Sequence, residues 1–136
     1  MERKIVRDVL FLSQPSSVAT KADQTVITDL KDTLKAHHDN CAGMAANMIG
    51  YHKRIIIVNA LLNYIVMVNP VIISQSGPYQ TKESCLSLDG ERPTKRFEKI
   101  KVQYLDEHFK PIMQEYSGFI AQVIQHEIDH CNGIII

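Results

Sequence analysis

The chemistry-bearing residues of this sequence lie near its end, in FIAQVIQHEIDHCNGIII, where His126, Glu127 and His130 form a His-Glu-x-x-His pattern. On a helix, residues four apart share one face and lie one turn apart, so the two imidazoles can bind the same ion. Glu127 is then placed to reach a water on that ion rather than the ion itself. Phe119, Val123, His126 and His130 form one stripe, and Ile120, Ile124 and Ile128 cover the neighbouring face. That pattern turns the histidines inward. The competing reading, two histidines and a glutamate meeting by chance on a solvated face, is weakened by these apolar neighbours.

Two histidines do not complete a site, because catalytic zinc sites use three protein ligands and keep a fourth position open. Some zinc proteases take their third ligand downstream, in the form H-E-x-x-H-x-x-G-x-x-H. Here Gly133 fits that spacing, but Ile136 stands where the last histidine belongs, and no ligating residue follows Cys131. Cys131 itself is one residue past His130 and turned about 100° away around the helix. The third ligand must therefore come from upstream, from His37, His38, His52, His108, an acidic residue, Cys41 or Cys85. Cys85 stands out because it lies between Glu83 and Ser87 in a short apolar-polar segment flanked by turn residues. A Cys-His-His set suits zinc, or iron in a reducing cell.

The elements that must position these residues can be read from the hydrophobic pattern. DQTVITDLKDTLKAHHDN places Val26, Ile27, Leu30 and Leu34 at helical spacing, which predicts an amphipathic helix over residues 23–38. RIIIVNA and YIVMVNPVIIS are β-branched runs bounded by Asn, Pro and Gly, and so read as strands. SGPYQTKESCLSLDGERPTK carries most of the turn residues and is expected to be loops and short strands around ESCLS. IKVQYLD alternates Ile100, Val102 and Tyr104 as a half-buried strand, closed by a turn at DEHFKP. From Ser117, as N-cap, the pattern becomes helical and stops at Asn132-Gly133. The expected class is α+β, with antiparallel strands around the C-terminal motif helix and an N-terminal amphipathic helix.

A chain of 136 residues fits one domain, residues 1–136, with one substantial core. Fifteen Lys and Arg balance fifteen Asp and Glu with no long charge run, which argues against nucleic-acid binding or a polybasic membrane anchor. The start offers only the apolar run VLFL, and no stretch nears the roughly 18 apolar residues of a spanning helix. The chain is expected to be soluble and cytoplasmic, with its three cysteines reduced.

Three stretches together resemble the peptide deformylases, metal hydrolases that take the formyl group off new bacterial and organellar proteins. QHEIDHCNG matches that family's HEIDH signature, ESCLS matches its EGCLS with Ser84 for glycine, and CAGMAANMIG matches its glycine-rich first motif with Cys41 for glycine. Arg96 followed by IKVQYLD fits as well. The resemblance implies that Cys85, His126 and His130 hold one divalent ion, Fe(II) first, with Zn(II) or Ni(II) as alternatives. It implies that Glu127 is general base and acid, and that the Leu86 backbone N–H donates to the oxyanion. It further implies that Glu83 pairs with Arg96 to brace the cysteine segment; the alternative is a surface ion pair of little consequence.

The family's second oxyanion donor is a glutamine where this sequence has Met48, and a thioether cannot donate a hydrogen bond. Losing such a donor typically costs ~10²–10³ in kcat. Asn47, where proline is usual, offers its amide as a substitute donor, although its side chain should point differently from that of Met48, and Gly43 completes the substrate and oxyanion region. Asp89 replaces another usual proline. Ile124 is a candidate contact for the substrate methionine, or else an ordinary core residue. The implied function is deformylation of N-formylmethionyl peptides of nascent chains near the ribosome, at a rate reduced by Met48. The alternative is a metal-holding protein that binds N-terminal peptides without useful turnover.

Overall fold

The run Ile55-Ile56-Ile57-Val58 has no exposed side chain, although successive residues of a strand point to opposite faces. Both faces must therefore be covered. In the computed structural model, which describes residues 1–136, strand β2 (Ile55–Asn59) lies between helix α2 (Gln24–Ala36) and helix α3 (Gly118–Cys131). A strand covered on both faces reads as an unbroken apolar run.

β2 is second in a five-stranded sheet ordered β1-β2-β3-β4-β5, with every neighbour antiparallel. The other strands are β1 (Gly43–Ala45), β3 (Tyr64–Cys85), β4 (Leu88–Leu105) and β5 (Pro111–Ser117). A short helix α1 (Val9–Leu12) precedes α2, and a 3-10 turn (Ala46–Ile49) follows β1. The α+β class and the two helices stand as expected. Val26, Ile27, Leu30 and Leu34 are the buried apolar face of α2, and Ile100, Val102 and Tyr104 are the buried face of β4.

Two expectations need correction. The turn-rich middle is not loops with short strands but one long hairpin, in which β3 and β4 pair from Val68↔Leu105 out to Cys85↔Leu88. Many side chains of its outer half are exposed, and those that turn inward include the polar Glu83 and Arg96, so these strands show no apolar alternation. Register shifts at Val68/Val71, Ile72/Ser74 and Ser84/Cys85 further blur the period-two pattern. Residues 111–117, passed over in the sequence, form the edge strand β5, where Tyr116 alone is buried. On α3, Val123, His126 and His130 face inward as expected, but Phe119 is 66% exposed. Ser117 occupies the N-cap position without making a side-chain cap bond.

Candidate functional site

A cleft of about 330 Å³ opens where α3, the start of β1 and the β3–β4 turn meet. Cys85 ends β3 at the last register shift of the hairpin, which aims it away from the ladder and toward α3. There the His126 and His130 rings lie 4.7 Å apart, and the ligating atoms of Cys85, His126 and His130 lie within 4.8 Å of one another. None of the other upstream candidates joins them. His52 stacks on Phe11 at 4.0 Å, His38 bonds Tyr64, and His108 sits in an exposed turn; Cys131, downstream, is in the core.

The residues fit a divalent cation. His126 Nδ1 is bonded to Glu83 Oε1 at 2.8 Å, which assigns the proton to Nδ1 and leaves Nε2 for the cluster. His130 Nδ1 and Glu127 Oε1 are both buried with no hydrogen-bond partner and stand 3.6 Å apart. Burial opposes a charge on His126, but Cys85 and Glu83 outweigh it and shift the ring upward, so positive charge is favoured at this point. Burial and the His126 charge push His130 down to about 3, which keeps that ring a neutral lone-pair donor. The Ser87 N–H points at Cys85 Sγ at 3.5 Å. Burial pushes the Cys41 thiol, also on the cleft wall, up to about 12, and it donates to the Gly43 carbonyl at 2.9 Å. It is a protonated wall residue rather than a competing ligand.

Behind the cluster, Arg96 grips Glu83 through two bonds of 2.8 and 3.0 Å and reaches Asp129 at 2.7 Å. Gln122 Nε2 donates to Glu83 as well, at 2.8 Å. Both Glu83 and Arg96 are buried, so the alternative of a surface pair is set aside. Burial raises the Glu83 carboxyl, yet the bonds from His126, Arg96 and Gln122 more than offset this and hold it at about 2. Glu83 is thus a permanent anion that orients His126. Asp129 and Gln122 were not singled out in the sequence. Both lie on α3 beside the histidines, within one turn, and that spacing was the available signal.

Glu127 is 4% exposed, and burial pushes its carboxyl up to about 7 against the pull of His126. It faces Gly43, where an added Cβ would lie 2.6 Å from Val123 Cγ1 and 3.3 Å from Glu127 Oε2. Only glycine lets β1 approach the motif helix this closely. Leu86 lines the cleft, and its N–H donates to no backbone carbonyl of the chain. Met48 forms part of the wall, and its Sδ accepts from the Ala45 N–H at 3.4 Å.

Asn47 and Ile124 both lie off the wall of this cleft, Ile124 as the core residue that was its alternative reading. Asn47 turns away from the cleft, and its Nδ2 donates to the carbonyls of His130 at 3.0 Å and Leu12 at 3.4 Å, so it is no substitute donor. In a 3-10 turn, adjacent side chains point about a third of a turn apart, so only Met48 of this pair faces the cleft. Ile124 is fully buried in the core, one residue round the helix from the wall, and Phe119, Gln122 and Val123 line the cleft in its place.

Comparison with known proteins bears on this arrangement directly. The family model for polypeptide deformylase matches residues 5–136. A peptide deformylase of Clostridium beijerinckii is 54% identical over 136 residues, the full length of both chains. A solved peptide deformylase from Legionella pneumophila superimposes with a TM-score of 0.89 at 34% identity, covering 99% of this chain and 83% of that one. The Met-Ala-Ser-bound class I type b enzyme from Acinetobacter baumannii superimposes at 0.87 with 28% identity, covering 99% and 97%. The cleft, its Cys-His-His cluster and these matches along nearly the whole chain lead to one conclusion: the chain belongs to the peptide deformylase family of metal-dependent enzymes.

Proposed function

We propose that this chain hydrolyses the formamide of N-formylmethionyl peptides, with Cys85, His126 and His130 holding an Fe(II) ion that Zn(II) or Ni(II) can replace. The observation that carries this reading is the Glu127 carboxyl, raised to about 7, with a buried and unpartnered Oε1 at the floor of an open cleft. An ion held by these three side chains would supply an acidified water and polarise the formyl carbonyl.

The remaining work falls to the protein. Glu127 takes a proton from the attacking water at Oε1 and delivers it to the departing amine nitrogen, so that formate and a free amino terminus leave. A carboxyl near 7 is suited to both transfers at neutral pH. The Leu86 N–H donates to the formyl oxygen as negative charge develops on it. Glu83 keeps His126 in one tautomer through the reaction. Phe119 and Val123 give the methionine side chain an apolar wall. Met48 adds no donor, so the oxyanion has one donor from this wall rather than two, and turnover is reduced.

The Met-Ala-Ser peptide bound in the Acinetobacter baumannii relative supports peptide substrates for this cleft. We place the reaction in the cytoplasm, on nascent chains near the ribosome. No helix is long and apolar enough to cross a membrane, and the balanced charge offers no nucleic-acid surface. The test is deformylation of formyl-Met-Ala-Ser by protein loaded with iron without oxygen, with metal quantified in the same sample. Turnover is expected that depends on metal and vanishes in Glu127→Ala. A fully loaded protein with no turnover would overturn the reading.

A further inference from the structure

One stretch outside the cleft touches every segment that builds it. The Val6 N–H donates to the Met48 carbonyl at 2.7 Å, and the Leu12 carbonyl accepts from Asn47 Nδ2 at 3.4 Å. The Ser16 N–H donates to the Cys131 carbonyl at 2.8 Å, at the end of α3. Arg7 reaches the third segment, with Nη1 donating to the Leu86 carbonyl at 3.2 Å and Nη2 to Asp89 Oδ1 at 2.7 Å. The arm of residues 6–17 is so close to the helix end that a Cβ on Gly133 would fall 2.4 Å from the Ser13 carbonyl oxygen. A single strap therefore ties the glycine-rich segment, the cysteine turn and the last turn of the ligand helix together.

Most of these ties use main-chain groups that any sequence supplies. Arg7 is the exception, because its side chain makes the only strap contact to the cysteine turn for which a hydrogen bond is found. That turn needs holding. β3 ends at Cys85 and β4 begins at Leu88, so Leu86 and Ser87 lie outside the ladder, just past a register shift. We infer that Arg7 is a positioning residue for the reaction, bridging the Leu86 carbonyl and Asp89 so that the turn presents the Cys85 thiolate and the Leu86 N–H together. The inference rests on the function proposed above.

The guanidinium fork can serve two acceptors at once, as a lysine cannot. Arg7 is 53% and Asp89 97% exposed, so their pairing adds little to stability. Its effect on turnover is larger, because small misplacements of a catalytic donor are magnified in rate. Stability and turnover thus separate, which makes the idea testable.

The experiment compares the parent chain with Arg7→Ala, Arg7→Lys and the exchange Arg7→Asp with Asp89→Arg. Each is assayed for formyl-Met-Ala-Ser turnover, thermal midpoint, and Co(II) binding followed by the thiolate-to-cobalt absorption. Arg7→Ala is expected to lower kcat about three- to tenfold, the fold-change of one net hydrogen bond. KM should stay within twofold, the midpoint should hold, and the thiolate-to-cobalt band should shift. Arg7→Lys should recover part of the loss, and the exchange should recover the pairing but not the bond to Leu86. An unchanged kcat and an unchanged cobalt spectrum in Arg7→Ala would overturn the inference, as would a loss explained by an equal fall in the midpoint of all three variants. If the parent itself fails to turn over formyl peptide, the functional reading fails while the cobalt spectra still decide the role of Arg7.

Discussion

Replacing Met48 with glutamine tests the oxyanion argument at the residue that raised it. Met48 is 1% exposed on the cleft wall, and its Sδ already accepts from the Ala45 N–H at 3.4 Å. Glutamine has the same chain length. Its Oε1 can take over the bond from Ala45 while Nε2 faces the cleft as a donor. Burying an amide with only part of its bonding met costs about 1–3 kcal/mol of stability. A donor aimed at a developing oxyanion contributes about 2.7–4 kcal/mol to the transition state in other hydrolases. Part of that is lost if the wall is not shaped for an amide, so a gain of at least tenfold in kcat is expected, equivalent to about 1.4 kcal/mol. The assay is steady-state deformylation of formyl-Met-Ala-Ser at matched iron content. Because the donor acts on charge that develops in the transition state, KM should change little while kcat rises. A folded, fully loaded Met48→Gln enzyme with the parent's kcat would refute the reasoning.

Three further outcomes are expected. Cys85→Ala should lose the metal, whereas Cys41→Ala and Cys131→Ala should keep near-normal content by elemental analysis; loss in Cys131→Ala instead would overturn the ligand assignment. Arg96→Met should lower stability by about 3–5 kcal/mol in urea unfolding, because it leaves the buried Glu83 anion without its cation. It should also weaken metal binding about 10–100-fold through His126. Gly43→Ala should cost about 1–3 kcal/mol through its contacts with Val123 Cγ1 and the Ile57 carbonyl and reduce kcat by crowding Glu127, and adding Val123→Ala should restore only the part of the loss due to Val123.

The motif helix was legible because a long amphipathic period, two histidines and a capping glycine all agree within 17 residues. Cys85 stood out as the leading third ligand because it lies between Glu83 and Ser87 in a short apolar-polar segment flanked by turn residues. The hairpin around it was not legible. Its outer strands pair with each other and turn polar residues such as Glu83 and Arg96 inward, so they carry none of the apolar alternation that marks a half-buried strand. That Asn47 and Met48 point apart follows from their adjacency, but which of the two faces the cleft depends on a 3-10 turn that sequence patterning does not resolve. The Arg96 to Asp129 bond and the strap of residues 6–17 join positions far apart in the chain, and single-chain periodicity is blind to them.

The strand order also bears on how the site comes into being. Each strand pairs with its predecessor in the chain, so the sheet grows by local zippering with little search. The site does not share this economy, since Cys85 and His126 are 126 − 85 = 41 positions apart. Closing a loop of that length carries an entropic cost of about 3 kcal/mol, from (3/2)RT ln n. The packing of α3, through fully buried residues such as Ala121 and Ile124, is in a position to meet that cost without help from an ion. A metallo-domain of the opposite kind unfolds when stripped by a chelator, because the ion itself closes the loop. Here chelation should empty the cleft and leave the scaffold cooperative in calorimetry, with a thermal midpoint lower only by the linkage of ion binding.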